Sequence, residues 1–547
     1  MLSGMPELPR GLPFSRKPAK SPPMKTRLPA LTALAALLLC AAASLSAAPV
    51  PAHRVVVVVF DGMRPDFVSQ ETTPNLWRLA GRGVTFAHHH PVYLCSTEVN
   101  GTAIATGAYP SHSTVIANVD FRPRIDPQLT VAIEAPGIIR RGDDVSGGRY
   151  IAVPTVAEIL RAHGLPTVVA GSKQVALLHD RSRRPNGPSD SPVLYEGSTL
   201  PPSAELPLSA LLGDFPPVPQ DQFKGARDAW TTGALLGEFW KAGLPTYTIL
   251  WLSEPDFSQH ATGPGSEQSL RAVKSSDDNL GRVLSEIDRR GLTATTDVFV
   301  VSDHGFSTIG WKVDVAAELS QAGFQVGRVA MGGLKPGSVV AVSNGGSTLL
   351  YVGGHDPEVC RRLSAYLELQ DWAGVVFSRD PLPGTFALSE AHIDSPEAPD
   401  LVVSLRWTLG KSRTGAPGLQ TSDLSPTAKK EGNHASLCPT DMHNILFAAG
   451  PDFRSGVLDT LPSGNTDVAP TVLWILGLKS EASTMDGRVL GEALAVDAPP
   501  LKSYEVKRLE ASRTTMGGSW KQYLQVSEVN GVRYLDEGNG AFAAGTH

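Results

Sequence analysis

Three carboxylates and three imidazoles stand out because of what precedes or follows them in the chain. Asp61 directly follows the β-branched run from Arg54 to Phe60. Asp256 and His260 follow the apolar run Tyr247–Leu252, and Asp303 and His304 follow Asp297–Ser302. His434 stands in Gly432-Asn433-His434, ahead of a further apolar run, Asn444–Ala449. Taken singly, each has an ordinary explanation. An Asp after a strand is commonly a turn or cap residue, and an Asp and a His four apart on a helix form a plain ion pair. Their recurrence at strand ends carries more weight, because open α/β sheets bind ligands outside the carboxyl ends of their strands. Mixed nitrogen and oxygen donors suit zinc, and six protein ligands suit two ions.

A nucleophile is expected in Leu94-Cys95-Ser96-Thr97-Glu98-Val99-Asn100-Gly101. Small residues continue to Thr106-Gly107, which predicts a tightly packed helix. A hydroxyl at its start faces free backbone N–H groups, a natural oxyanion and phosphate site. Such a cluster also serves simply as a cap, and local sequence does not choose among Cys95, Ser96 and Thr97. His88-His89-His90 invites a metal reading, but side chains on an extended segment alternate sides. Structural or surface roles are expected for them.

The elements that must position these groups form an α/β pattern. The run Arg54–Phe60 suits a strand buried on both faces. Helices are predicted from Thr73 to Leu79, Pro154 to His163, Ala226 to Lys241, Glu267 to Arg290 and Asp467 to Leu476, with strands at Thr167–Ala170, Tyr247–Leu252, Asp297–Ser302 and Asn444–Ala449. Strands alternating with helices predict a doubly wound, mostly parallel central sheet flanked by helices. Residues 119–225 and 306–432 break the rhythm and read as cap insertions at the sheet edge. Asn530-Gly531 between Lys521–Val526 and Val532–Leu535 predicts a β-hairpin in a tail spanning 501–547.

Composition narrows the classes. The 547 residues carry a formal charge of −6, so non-specific binding to a nucleic-acid polymer lacks its main driving force. Apolar residues at 41% and charged residues at 19% exclude a disordered chain. Met24-Lys25-Thr26-Arg27, the apolar stretch Leu28–Ala43 and Ser46-Ala47-Ala48 predict a signal peptide over 1–48, with Met24 as an alternative start. Removal of that segment leaves 42 basic against 53 acidic residues over 49–547, a charge of −11, and a catalytic domain is expected over 49–500. No later segment is long and apolar enough to cross a membrane, so a periplasmic or secreted location is expected. Three cysteines would remain, which is no disulfide framework. If Cys95 and Cys438 flank one site, a disulfide between them is one option and two free thiols the other.

These motifs resemble the alkaline phosphatase superfamily, and within it the nucleotide pyrophosphatase/phosphodiesterase (type I phosphodiesterase) branch. The resemblance rests on Phe60-Asp61-Gly62, His90-Pro91-Val92-Tyr93, Thr97-x-x-Asn100, Ala105-Thr106-Gly107-x-Tyr109-Pro110-x-His112, Glu254-Pro255-Asp256-x-x-x-His260, Ser302-Asp303-His304-Gly305, Gly432-x-His434, and Met442-His443 with Gly450-Pro451. It implies a two-zinc phosphoester hydrolase, with Mn2+ or Fe as alternative ions, acting on a small-molecule phosphoester. It implies Thr97 as nucleophile and further metal ligand, and Asn118 as the amide that holds a phosphate oxygen. One ion would take Asp256, His260 and His434; the other would take Asp61, Asp303 and His304. His443 matches the family's Met-His pair without matching a ligand.

Departures from the family pattern bear on substrate. Glu98 stands where the nucleotide-specific enzymes carry an aromatic residue, and its carboxylate would repel polyanions. Lys173-Gln174-Val175 keeps the lysine and loses the arginine of a Lys-x-Arg pair that related monoesterases use, so the pocket reads as intermediate. Ala435-Ser436-Leu437 replaces a frequent Gly-Tyr-Asp. A phosphodiesterase is the first expectation and a phosphomonoesterase the second. A sulfatase lacks its Cys-x-Pro-x-Arg pattern here, and a cytoplasmic phosphomutase conflicts with the export signal. A metal-stabilised binding protein without catalysis would not need all six ligands and the hydroxyl.

Overall fold

Five consecutive valines make the Arg54–Phe60 segment a strand that must be covered on both sides. In the computed structural model it lies at the middle of a nine-stranded sheet. The structure describes residues 53–545 except 184–186, 188, 496–498 and 502, so the predicted signal segment lies outside the described residues. Across the sheet the order is Val457–Gly464, Val84–His90, Leu446–Ala449, Thr296–Val301, Arg54–Phe60, Tyr247–Leu252, Thr167–Gly171, Val193–Tyr195 and Ser198–Leu200. Thr296–Val301 through Val193–Tyr195 run parallel, while Leu446–Ala449 is antiparallel to both of its neighbours. The fold is the expected α/β class with a large, mostly parallel sheet.

Alternation of side chains splits the core in two. Val55, Val57 and Val59 enter one layer with Ile104, Leu160, Val472 and Leu473, and Val56, Val58 and Phe60 enter the other with Leu76, Val273, Leu280 and Val283. Each fully buried valine contributes on the order of 1.5–3 kcal/mol. The long helix Glu267–Arg289 covers the second layer. Ser266 caps it, its hydroxyl accepting from Ser269 N.

The predicted elements are present, with boundaries shifted by a few residues. The Ala226–Lys241 prediction is the largest difference: the α-helix Gly225–Ala234 gives way to a π-helical turn over Leu235–Phe239. Val84–His90 and Val457–Gly464 are strands that the sequence patterning missed. Part of the 119–225 stretch is not a cap: its three strands Thr167–Gly171, Val193–Tyr195 and Ser198–Leu200 complete one edge of the central sheet. The 306–432 stretch builds a six-stranded sheet that includes Ser347–Val352, Leu401–Leu405 and Ala373–Ser378, and most of a four-stranded one containing Ser307–Val313 and Pro417–Asp423.

The tail is larger than a hairpin. Tyr504–Thr515, Gly518–Val529 and Val532–Ala544 form a three-stranded antiparallel sheet, with the predicted turn at Asn530-Gly531. Tyr504–Thr515 was missed because its side chains are mostly exposed, which leaves little apolar alternation to read. The tail is anchored by Gln522, which exchanges two hydrogen bonds with the Val376 backbone, and by Trp407, which donates to Gly538 O. Among the described residues, no helix is long and apolar enough to cross a membrane.

Candidate active site

The site sits where the parallel strands end. Asp61 follows the central strand, and Asp303 and His304 follow its neighbour Thr296–Val301. Asp256 and His260 share a face of the helix Asp256–Thr262, which follows Tyr247–Leu252. His434 comes from farther away in sequence. It directly follows the two-residue strand Gly432–Asn433, which pairs antiparallel with Ser307–Thr308 and so swings the imidazole over the sheet end.

The six groups converge as two trios, Asp256/His260/His434 and Asp61/Asp303/His304. Within each trio one ligand atom per residue lies within 4.8 Å of the others. The histidines share one design. Nδ1 of His260 donates to Gly432 O at 2.9 Å, Nδ1 of His304 to Gly305 O at 2.8 Å, and Nδ1 of His434 to Cys95 O at 3.0 Å. These bonds fix the tautomer and turn each Nε2 lone pair inward, as a metal-ligating histidine requires. The His304 and His434 rings stack at 3.8 Å between centroids.

The carboxylates are also poised. Asp61 Oδ2 accepts from Trp251 Nε1 and Lys173 Nζ, both at 2.9 Å, and Asp303 Oδ1 accepts from Gly62 N at 2.9 Å and His304 N at 3.0 Å. The remaining oxygens, Asp61 Oδ1, Asp256 Oδ1 and Asp303 Oδ2, are buried without a hydrogen-bond donor. Three orphaned anionic oxygens facing three imidazole lone pairs are what a pair of divalent cations needs and what bare protein does not tolerate cheaply. The donor set therefore fits the metals expected of it.

Charge crowding shifts the ionisable groups. Burial and the nearby Asp303 push Asp61 well above the usual carboxylate range, against the pull of Lys173. Burial would raise Asp256 too, but Lys173, His260 and His434 hold it well below. Burial and the neighbouring imidazoles of His304 and His260 push His434 well down, keeping it neutral and able to ligate. Lys173 is buried, which lowers its affinity for a proton, yet Asp256, Asp61 and Glu134 more than offset this and hold it charged.

The structure also separates the three nucleophile candidates. Cys95 Sγ donates to Ser436 O, and Ser96 Oγ turns back to Leu94 O. Thr97 alone faces the trios: its Oγ1 lies 3.3 Å from His304 Nε2 and 3.3 Å from Lys173 Nζ. It is the first residue of the helix Thr97–Thr106, every residue of which is buried. Asn118 lies beside that helix start, its Oδ1 accepting from Glu98 N at 3.1 Å. Glu98 is buried and its Oε2 lacks a partner. Burial and Glu134 push it well above the ordinary range, toward the neutral acid, which weakens the repulsion expected of a carboxylate there.

Several contributors escaped the sequence reading. Trp251 orients Asp61 from within a strand that reads as plain core. Asn465 donates to Asp303 O at 2.7 Å and to Asn100 Oδ1 at 2.9 Å, and its Oδ1 accepts from His89 Nε2 at 2.8 Å. The middle histidine of the triplet thus braces the asparagine that braces Asp303, while His88 is exposed and His90 packs at 4.6 Å against His443. Neither His443 nor the triplet enters the trios. Ala435-Ser436 forms a turn with Ala435 at φ 71° and Ser436 Oγ donating to Asp441 Oδ2 at 2.6 Å. Cys95, Cys360 and Cys438 are free thiols, so the Cys95–Cys438 disulfide is not formed.

A sequence model described as "Type I phosphodiesterase / nucleotide pyrophosphatase" matches residues 55–435. The chain belongs to that family. It is a phosphoric ester hydrolase of the alkaline phosphatase superfamily. Among curated relatives, the mouse (Mus musculus) bis(5'-adenosyl)-triphosphatase enpp4 is 21% identical over 78% of each chain. Mouse ectonucleotide pyrophosphatase/phosphodiesterase family member 7 is 25% identical over 52% of this chain and 58% of its own length. The solved structure of murine ectonucleotide pyrophosphatase/phosphodiesterase 5, an inactive threonine-to-alanine variant in complex with AMP, superposes with a TM-score of 0.55 at 17% identity. That match covers 78% of this chain and 95% of the other and establishes a shared fold.

Proposed function

We propose that this protein is an exported phosphodiesterase that cleaves small-molecule phosphodiester or pyrophosphate bonds with Thr97 as nucleophile. The observation that carries this reading is the position of Thr97 Oγ1, the one candidate nucleophile that lies 3.3 Å from a trio imidazole, His304 Nε2, and 3.3 Å from Lys173 Nζ. Asp256, His260 and His434 would hold one divalent ion, and Asp61, Asp303, His304 and Thr97 the other, zinc being favoured by the mixed donors. When bound, the two ions supply Lewis acidity and positive charge at the apical oxygens of an in-line displacement.

The chain's own residues do the rest. The Lys173 ammonium favours the deprotonated threonine oxygen that attacks phosphorus, and the bond to the leaving oxygen breaks as the new ester forms. Asn118 and the start of the helix Thr97–Thr106 hold the equatorial phosphoryl oxygens. Water then cleaves the threonine ester and restores the hydroxyl. Names of relatives support this class: one is called a bis(5'-adenosyl)-triphosphatase, and the AMP-bound neighbour is described as inactive through loss of a threonine. Export is supported by the basic-apolar-small order of residues 24–48 and by the ectonucleotide names of relatives.

A second reading, a phosphomonoesterase, is favoured by Lys173, a charged donor placed to meet the extra negative charge of a monoester. One preparation assayed on bis(p-nitrophenyl) phosphate, p-nitrophenyl phosphate and diadenosine triphosphate separates the two. Faster cleavage of either diester or anhydride supports the first reading. A clear preference for the monoester overturns it in favour of the second.

A further inference from the structure

The opposite end of the central sheet holds a second cluster of ligand-type side chains. His53 immediately precedes the central strand, Asp297 is the second residue of the adjacent strand Thr296–Val301, and Asp452 lies in the turn that follows Leu446–Ala449. One ligand atom from each lies within 4.8 Å of the other two. His53 Nδ1 and Asp452 Oδ2 are 2.9 Å apart, yet neither makes an aligned hydrogen bond. His53 Nδ1, Asp297 Oδ2 and Asp452 Oδ2 are all buried atoms without a hydrogen-bond partner. Asp297 is fully buried as a residue.

Three features make this a formed pocket. Asp452 N donates to Asp297 Oδ1 at 3.1 Å, which fixes one carboxylate oxygen and leaves the other facing the pocket. The turn comes this close because Gly450 has φ 151° and no side chain. A Cβ there would lie 2.3 Å from Asp297 Oδ1. His53 is about one-third exposed at its side chain, so the pocket is open to solvent on one side. Two carboxylates brought together out of water repel each other unless a cation or a shared proton lies between them.

We propose that His53, Asp297 and Asp452 bind one divalent transition-metal ion of the zinc class, separate from the catalytic pair. One imidazole and two carboxylate oxygens form a three-ligand set for such an ion, with solvent completing the shell from the open side. The ion ties the start of the central strand to its neighbour and to the turn after Leu446–Ala449. Its role is structural, since the pocket has no hydroxyl, lysine or long-helix N-terminus among its three members.

The test is metal content by plasma mass spectrometry after dialysis against metal-free buffer, on wild-type protein and Asp297→Asn. The readout is the difference between the two, so it does not depend on how many ions the catalytic trios retain. Asp297→Asn is expected to lose one equivalent of zinc per chain and to melt several degrees lower in zinc, with turnover of bis(p-nitrophenyl) phosphate unchanged. Equal metal content in the two proteins, with an equal or higher melting temperature for the variant, would mean a shared proton and overturn the proposal. Should Asp297→Asn fail to fold, His53→Ala removes the solvent-facing ligand and must show the same loss of one equivalent. Absence of an anomalous zinc peak among these three side chains in crystals of the wild-type protein would refute the proposal independently.

Discussion

The two ends of one central strand carry similar ligand types and very different surroundings. At its carboxyl end, beyond Phe60, three imidazoles each rest on a backbone carbonyl through Nδ1, and a lysine and a helix start crowd against three carboxylates. At its amino end, before Arg54, a single imidazole faces two carboxylates and nothing nucleophilic joins them. The difference teaches that ligand atoms alone do not make a catalyst. The carboxyl end adds an oriented hydroxyl at a helix start and a fixed positive charge, both on segments that leave the strands. The amino end adds only chain entries and exits.

The sharpest break of this comparison is Thr97→Ala. It should lower turnover on the order of 10⁴-fold or more while zinc content stays at the wild-type level. Ser96→Ala should leave most activity. If the serine variant is dead and the threonine variant active, the nucleophile has been misassigned.

Next in size is the brace behind Asp303. Asn465→Ala removes the donor to Asp303 O and is expected to cost about 10–100-fold in zinc affinity or turnover. Zinc titration of the chelator-stripped variant measures the first and initial rates the second. An unchanged variant would mean that the carbonyl contact is incidental. Lys173→Met should then slow p-nitrophenyl phosphate by about tenfold to a hundredfold and slow the diester less, because the monoester carries the additional charge. The shared loss reports the role of the lysine toward Thr97, and equal losses on both substrates would show that it serves the nucleophile alone and does not meet the extra charge of the monoester.

The smallest effect concerns stability. Burial and the adjacent Asp228 push Glu254 up to about 8 from its ordinary value of 4.5. The folded state therefore keeps a proton that the unfolded chain releases. This contribution is fully present below pH ~4.5 and is lost as pH rises through about 8. Urea midpoints from pH 5 to 9 should fall, and Glu254→Gln should flatten that slope. A slope unaltered in the variant would place the titration elsewhere.

Much of the site was legible because its residues stand next to strong local signals. Asp61, Asp256, Asp303 and His304 each lie just past an apolar run, and such runs become strands whatever surrounds them. His434 gave a weaker signal, standing ahead of an apolar run rather than just past one, because the two-residue strand before it has no periodicity to read. Trp251, Asn465 and His89 were not legible as parts of the site. A tryptophan in a buried strand and an asparagine before a helix have ordinary roles, and their contacts lie 162 to 376 residues away in sequence. Glu98 was legible as a departure from the family, but its drift toward the neutral acid depends on burial beside Glu134, which no local pattern predicts.

The chain by itself determined most of the helices and strands of the central sheet, its α/β class and the chemical types at the strand ends. Those follow from side-chain periodicity and turn chemistry acting over a few residues. Tertiary structure alone decided which of Cys95, Ser96 and Thr97 faces the trios, which histidines turn Nε2 inward, and that the strand entry carries a second ligand cluster. Each of these depends on where a side chain meets backbone from a distant segment. That meeting is set by sheet order and packing, and neighbouring residues carry no record of it.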